Sequence, residues 1–204
     1  MKRILLLLVL LIAGFCVYWF MFRTQPSRNS GPKQQPLTLK KHSLEFNQSV
    51  ATAMNAYFDM KNAFVDADTA KAKEACRKFI GLIDSIKLDE LKKDTASIFE
   101  TAAANLDDVK LNAASLLTQT DITEMRQDFR MVSDILYPSF FIAINYEGPN
   151  MYWQNCPMAF GEDKAASWIS STVEVINPYL GSNHPEHKAT MLHCGEIKDT
   201  IKTK

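Results

Sequence analysis

The chain lacks any run of more than two consecutive basic residues, and its 23 basic and 23 acidic residues give a formal net charge of zero. Proteins that bind nucleic acids carry clustered Lys and Arg side chains, which neutralise backbone phosphates. The absence of such a cluster excludes nucleic acid from the partners that we expect for this chain.

Motifs of the common enzyme classes are also absent. The sequence contains no glycine-rich phosphate loop, no H-E-x-x-H helix and no nucleophile elbow. A di-metal helical bundle needs Glu-x-x-His pairs on inward faces, and the helical segments contain none. We therefore predict that the protein is not an enzyme, and we assign no catalytic residue.

Cysteine is scarce, with four in 204 residues, which is too few for a disulfide-rich scaffold. Cys16 lies in an N-terminal apolar run, and Cys76 lies on the apolar stripe of a helical pattern, where we expect a core residue. Only Cys156 and Cys194 lie in turn-rich sequence. These two cysteines are the ones that can form a bridge or bind a ligand.

The N-terminus carries the longest uncharged stretch of the chain. Residues 4–22 have no charged side chain, follow Lys2 and Arg3, and end in bulky aromatic residues. Such a run approaches the roughly 30 Å thickness of the membrane hydrocarbon. It predicts an uncleaved inner-membrane anchor at residues 1–23, with a signal peptide or a lipoprotein signal as the alternatives; each alternative exports the rest of the chain.

Residues 24–42 are rich in proline and polar side chains and predict a flexible linker. From Ser43 onward, apolar residues recur at steps of three and four, which is typical of amphipathic helices. Asp68 and Asp121 are the predicted N-caps of the second and fourth helices, and the third helix is predicted from about Glu90 to Leu117. Pro138 should end or kink the fourth helix near Tyr137.

Four helices joined by short turns predict an up-down four-helix bundle at residues 43–147, so the fold class is mainly α. Residues 148–204 have a different composition, with glycine, proline, asparagine and aromatic residues. They predict a small C-terminal module of loops and short strands that packs on the bundle. Candidate strands are residues 151–154, 167–170 and 191–193, and residues 196–201 are either a helix or a strand.

The C-terminal module carries two sulfur pairs, Cys156 with Met158 and Met191 with Cys194. Thiolates and thioethers are soft ligands, which select Cu(I) over the hard cations that prefer oxygen. If the two turns meet, these four side chains form a metal site. Binding would need deprotonated thiols and would weaken in acid.

Several motifs of the chain resemble an uncharacterised family of exported bacterial proteins, the domain of unknown function 3347. The motifs are residues 57–65 (YFDMKNAFV), 126–129 (RQDF), 156–159 (CPMA), 168–170 (WIS), 177–181 (NPYLG) and 191–196 (MLHCGE). The resemblance covers roughly residues 43–201. Members of this family also resemble the C-terminal part of periplasmic adaptor proteins of heavy-metal efflux systems, which implies metal handling. This chain departs from the family pattern by an insertion at residues 182–190.

Three other interpretations of the cysteines remain open: a structural disulfide, a zinc site, and a redox-active pair or free thiols. A Cys156–Cys194 disulfide suits an exported protein and would stabilise the module by about 3–4 kcal/mol through loop closure, with the methionines as packing residues. Alternatively, His184 and His187 of the insertion would join both cysteines in a Cys2His2 zinc site, although loop histidines are usually solvated.

The sequence therefore predicts a membrane-tethered, periplasmic module that binds or hands over a heavy metal, with Cu(I) preferred over zinc. Its expected partners are the metal ion, a metal-efflux or other envelope protein, and the membrane through residues 1–23. The competing hypothesis is a structural interaction module of the envelope, held by the disulfide and without a metal.

Overall fold

Four α-helices form the first part of the fold, and a small antiparallel sheet forms the last part. A computed structural model describes residues 42–94, 97–184 and 186–202, all within the unit Gln35–Lys204. The predicted anchor and all but the last residue of the predicted linker lie outside the described residues. The fold is therefore mainly helical with a three-stranded sheet at its C-terminal end.

The helices begin where the sequence places an oxygen-bearing cap. They are α1 (Leu44–Val65), α2 (Thr69–Ile83), α3 (Ile98–Thr118) and α4 (Ile122–Asp134). The side chains of Ser43, Asp68 and Asp121 accept hydrogen bonds from backbone N–H groups in the first turns of α1, α2 and α4. Because these N–H groups have no partner within the helix, the caps fix the starting points. The predicted caps Asp68 and Asp121 are confirmed.

The start of the third helix was predicted wrongly. Residues Leu88–Lys93 form a separate 3₁₀ helix, and α3 begins only at Ile98. Ser97 has a φ of 55°, in the left-handed region, which a right-handed helix cannot continue through. Leu91 is nevertheless fully buried, so it contributes to the same core and extends the apolar pattern across the break.

The fourth helix ends as the proline predicts. Beyond α4 the chain makes a π-helical turn, Ile135–Phe140, in which Tyr137 adopts the extended conformation (φ −131°, ψ 130°). The ring of Pro138 disfavours the helical conformation for the residue that precedes it. The segment that follows contains a short helix, Phe141–Ala143.

Buried side chains from all four helices form the helical core. They include Phe46, Val50, Met54, Tyr57, Phe64, Cys76, Phe79, Ile83, Ala102, Leu106, Val109, Ala113, Leu116, Met125, Phe129 and Val132. The thiol of Cys76 donates to the carbonyl of Ala113, and burial raises the pKa of that thiol to about 12. The prediction that Cys76 is a core residue is thus confirmed.

The sheet contains β1 (Met151–Cys156), β2 (Ala166–Ser170) and β3 (Glu196–Ile201), in the order β2-β1-β3. Both pairings are antiparallel, and the register with β3 shifts between Trp153 and Gln154. The strands predicted at residues 151–154 and 167–170 are present, and residues 196–201 are a strand. The strand predicted at residues 191–193 is wrong, because those residues form a turn in which the N–H of Cys194 donates to the carbonyl of Met191.

Tyr57 of α1 joins the helices to the sheet. Its hydroxyl donates to Ser133 Oγ of α4 at 2.7 Å and accepts from the N–H of Ile169 in β2 at 3.0 Å. The direction follows because Ser133 Oγ itself donates to the carbonyl of Phe129. Burial raises the pKa of Tyr57, so the phenol stays neutral and its O–H group can donate the hydrogen bond to Ser133.

The first residue that the structure describes is already buried. His42, the last residue of the predicted linker, has ring nitrogens 2.8 Å from Glu90 Oε1 and 2.5 Å from the carbonyl oxygen of Ile144. The folded part therefore begins at least one residue earlier than predicted. No helix within the described residues is both long and apolar enough to cross a membrane, and the predicted anchor lies outside them.

Replacing Tyr57 by Phe removes a hydroxyl that serves two buried partners. The N–H of Ile169 then loses its side-chain partner and Ser133 Oγ loses a donor, so we expect the free energy of unfolding to fall by about 1–3 kcal/mol. Urea denaturation followed by circular dichroism measures this change.

The matched control is Tyr152→Phe, since the Tyr152 hydroxyl makes no hydrogen bond within the described residues. We expect this variant to unfold at the wild-type urea concentration. Equal destabilisation by the two substitutions would contradict the role of Tyr57 as the joint between helices and sheet.

Candidate site around the Cys156–Cys194 disulfide

Strand pairing brings the two predicted cysteine ligands together. Cys156 is the last residue of β1, and Cys194 lies two residues before β3 begins. Because Asn155 is paired with Glu196, the antiparallel register carries Cys156 and Cys194 to the same end of the sheet. The two residues are 38 positions apart in sequence, their Cα atoms are 5.7 Å apart, and a disulfide joins their sulfurs.

Gly195 allows the second cysteine to approach β1. Its φ is +140°, a conformation that L side chains rarely adopt. A Cβ atom at this position would lie 2.8 Å from the carbonyl oxygen of Asn155 and 3.0 Å from the indole ring of Trp168. The glycine of the Cys194-Gly195 pair is thus required by close packing, whatever the cysteines bind.

The two predicted methionine ligands have different environments. Met158 follows β1 by two residues, is 40% exposed and lines a surface cleft. Met191 is partly buried and packs against the core. Of the four predicted ligands, the structure bonds the two cysteines to each other, and Cys156 is fully buried while Cys194 is partly buried.

Asn177 holds the segment that carries the second cysteine. Its Nδ2 donates to the carbonyl of Cys194 at 2.9 Å, and its backbone N–H donates to the carbonyl of Leu192 at 2.8 Å. Its Oδ1 accepts from the N–H groups of Tyr179 and Leu180. This fully buried amide therefore fixes two loops to one another.

Tyr179 fills the space between the sheet and α4. Its hydroxyl donates to the carbonyl of Ser167 at 2.5 Å, and its ring lies against Phe129, Phe160 and Trp168. Burial raises the pKa of Tyr179 well above its ordinary value, so the group is a neutral donor. The ring thus connects the fourth helix to the loop after β1.

The end of α1 is capped by residues that are distant in sequence. Arg126 Nη2 donates to the carbonyl of Phe64 at 2.8 Å, and the N–H of Ser182 donates to the carbonyl of Val65 at 2.8 Å. The last carbonyls of a helix have no partner within it, and a cation is favourable beside them. Gly181, with a φ of +58°, lets the chain pass close to these carbonyls.

The histidines of the insertion stack on one another, with ring centroids 4.9 Å apart. His184 Nδ1 accepts weakly from the N–H groups of Glu186 and His187, at 3.3 Å each. Burial lowers the pKa of His184, and the nearby His187 and Arg126 lower it further. Within the described part of the chain no three His, Cys, Asp or Glu side chains cluster closely enough for a metal, so the Cys2His2 set does not come together.

Sequence reasoning assigned no role to Tyr57 or Arg126, although both lie in motifs that it singled out. Arg126 is 3% exposed, and burial lowers its pKa to about 10. The sequence does show that Arg126 is a charged residue on the apolar face of an amphipathic helix, and this could have marked it as a functional residue. Its role depends on which residues pack against that face, and the periodicity of the sequence does not reveal them.

The helical part of the chain matches a known family. The family is described as "Protein of unknown function (DUF3347)", and its model matches residues 53–143, which confirms the predicted resemblance. The matched residues include Tyr57, Arg126 and Ser133 but none of the strands and neither bonded cysteine. Neither the curated proteins nor the solved structures contain a match.

Replacing Gly181 by Ala should destabilise the protein by more than about 1 kcal/mol, since a left-handed conformation costs an L residue about that much. The added methyl group would also lie 2.5 Å from the carbonyl oxygen of Val65. Guanidinium denaturation measures the loss.

Gly81→Ala is the matched control. Gly81 lies inside α2, and an added Cβ there meets no atom within 4 Å. Alanine is the better helix former, so this variant should be about 0.5–1 kcal/mol more stable than wild type. If both substitutions change the free energy of unfolding in the same direction, the close approach of Gly181 to the end of α1 does not explain the effect.

Proposed function

We propose that this member of the DUF3347 family binds a soft metal ion, Cu(I), in the bacterial cell envelope and holds it or hands it over to a partner. Reduced Cys156 and Cys194 would be the anionic ligands, and Met158 and Met191 would be the neutral ones. The observation that carries the proposal is the pairing of β1 with β3, which places the Cα atoms of the two cysteines 5.7 Å apart.

The donor chemistry fits Cu(I). Each cysteine has a methionine within three residues, and the turn from Met191 to Cys194 is closed by a backbone hydrogen bond of 3.0 Å. Met158 is 40% exposed, so a thioether is within reach of an incoming ion. Two thiolates with thioethers select Cu(I), whereas zinc prefers further thiolates or imidazoles.

The disulfide is the oxidised counterpart of this ligand set. An envelope dithiol would reduce it by thiol–disulfide exchange, becoming a disulfide itself while Cys156 and Cys194 become thiols. Cys194 is the partly buried member of the pair and Cys156 is fully buried, so an attacking thiolate would reach Cys194 first. Metal binding and the bridge then exclude each other and follow the redox state.

A structural interaction module is the second candidate. The direct bond between the two sulfurs and the packing of Met191 against the core favour it. In this function the bridge stabilises the C-terminal module, and the protein docks to an envelope partner without a metal.

The surrounding architecture and location belong to the same proposal. We include an up-down arrangement of the four helices, which the packing of α1 on α2, α2 on α3, and α3 on α4 supports. We also include an exported location with an anchor at residues 1–23. The disulfide supports export weakly, since such bonds persist in oxidising compartments.

Titration of Cu(I) into the reduced full-length chain, against a chromophoric chelator, tests the metal site. We expect tight binding of one ion per chain, and we expect Cys156→Ser to abolish it because a thiolate is lost. The Met158→Leu/Met191→Leu double variant should bind at least about tenfold more weakly, equivalent to about 1.4 kcal/mol. Cys76→Ser is the control, because Cys76 is buried in the helical core.

Alkylation of the protein isolated from the cell envelope gives the thiol state directly. Free thiols at Cys156 and Cys194 support the metal-binding function. Failure of the reduced chain to compete with the chelator contradicts it and leaves the disulfide-held interaction module. In that case the double methionine variant should keep the wild-type stability, since Leu is close to Met in volume.

A further inference from the structure

A surface cleft of about 340 Å³ lies between the start of α4, the turn after β1 and the histidine insertion. Its lining includes polar side chains, among them Thr123, Arg126 and His187. It also includes apolar ones, among them Ile122, Phe160 and Leu180. The cleft therefore offers both charge and apolar surface to a ligand.

Arg126 is the unusual member of this lining. Its side chain is 3% exposed, yet no carboxylate within the described residues forms an ion pair with it. Its Nη2 donates to the carbonyl of Phe64, but its buried Nε has no hydrogen-bond partner there. Buried cations in proteins are normally paired with an anion, because their removal from water is costly.

One further group at the cleft reinforces the positive potential. The N-terminal end of α4 begins at Ile122, and a helix of 13 residues presents a partial positive charge there. His184 and His187 also line the cleft; burial lowers the pKa of His184, so its imidazole contributes hydrogen-bonding nitrogens and not charge. Two negative charges near the cleft oppose this positive potential. Asp121 caps the first turn of α4, and Glu186 is exposed and lies beside His187.

We infer that this cleft binds a small organic carboxylate, with the carboxylate directed to Arg126 and an apolar body lying against Phe160 and Leu180. A carboxylate matches the planar guanidinium, whose N–H groups lie in one plane. The apolar side chains of the lining favour a ligand with a hydrocarbon part over a bare inorganic anion. A cation is disfavoured because Arg126 would repel it. The inference does not rest on the proposed copper site, although Met158 belongs to both.

Titration of the full-length protein with benzoate, followed by calorimetry, tests the inference. Benzyl alcohol has the same ring without the charge, and inorganic phosphate has charge without the ring. We expect saturable binding of benzoate, and binding of each of the other two probes at least about tenfold weaker. Equal binding of benzyl alcohol, or of phosphate, would overturn the assignment of the ligand.

Substitutions locate the bound carboxylate. Arg126→Lys keeps the charge but loses the planar donor set, and we expect benzoate binding to weaken about tenfold. Arg130→Gln is the matched control: Arg130 lies one turn further along α4, pairs with Asp134 and lies outside the cleft lining. It should bind benzoate as wild type does.

A second variant covers the case in which Arg126→Lys fails to fold, since Arg126 also caps α1. Thr123 and His187 are exposed, so the double substitution Thr123→Val/His187→Gln should leave the fold intact. We expect this variant to weaken benzoate binding several-fold with unchanged circular dichroism. Wild-type affinity in both this variant and Arg126→Lys would overturn the proposal, as would an equal loss in Arg130→Gln.

Discussion

The antiparallel pairing of β1 with β3 is the constraint on which the rest of the C-terminal structure depends. It brings Cys156 to Cys194 across 38 residues of sequence and sets the direction from which Gly195 approaches Asn155. The same strand, β1, is paired on its other side with β2, whose Trp168 and Ile169 are fully buried. One strand therefore connects the sulfur site to the apolar core.

Residues of the motifs that the sequence analysis singled out connect separate parts of this structure. Tyr57 connects α1 to both α4 and β2, Arg126 and Gly181 meet at the end of α1, and Asn177 holds the loop of Cys194. Each of these residues has a structural role that involves no metal. The proposal of metal binding therefore depends on the sulfur residues alone, of which the two cysteines also form a disulfide and Met191 also packs against the core.

The turn after β1 carries residues of both proposed sites. Cys156 is buried and bonded to Cys194, and Met158, the other sulfur residue of this turn, also lines the cleft that contains Arg126. Soft, neutral sulfur suits a metal ion of low charge, whereas a buried guanidinium suits an anion. Because the two preferences are opposite in sign, the two sites would attract different ligands even though they share one turn.

The sequence by itself determined the features that depend on neighbouring residues. Helix caps at Asp68 and Asp121, the apolar faces of the helices, the extended conformation of Tyr137 before Pro138 and the strands at β1 and β2 all follow from local chemistry. The hydrogen bonds of the caps and the steric contact of Pro138 lie within a few positions along the chain, and the strands are recognised by the residue types within each segment, so these features are visible in the sequence.

Only the tertiary structure decided which distant residues meet. The break before Ile98 is hidden because Leu91 packs on the same core as α3, and residues 191–193 form a turn because Cys194 must approach β1. The bond between Cys156 and Cys194 and the unpaired charge of Arg126 depend on strand register and on the close approach of separate segments. The periodicity of the sequence predicts neither the disulfide nor the unpaired charge of Arg126, because contacts between distant segments are set by packing and not by spacing along the chain.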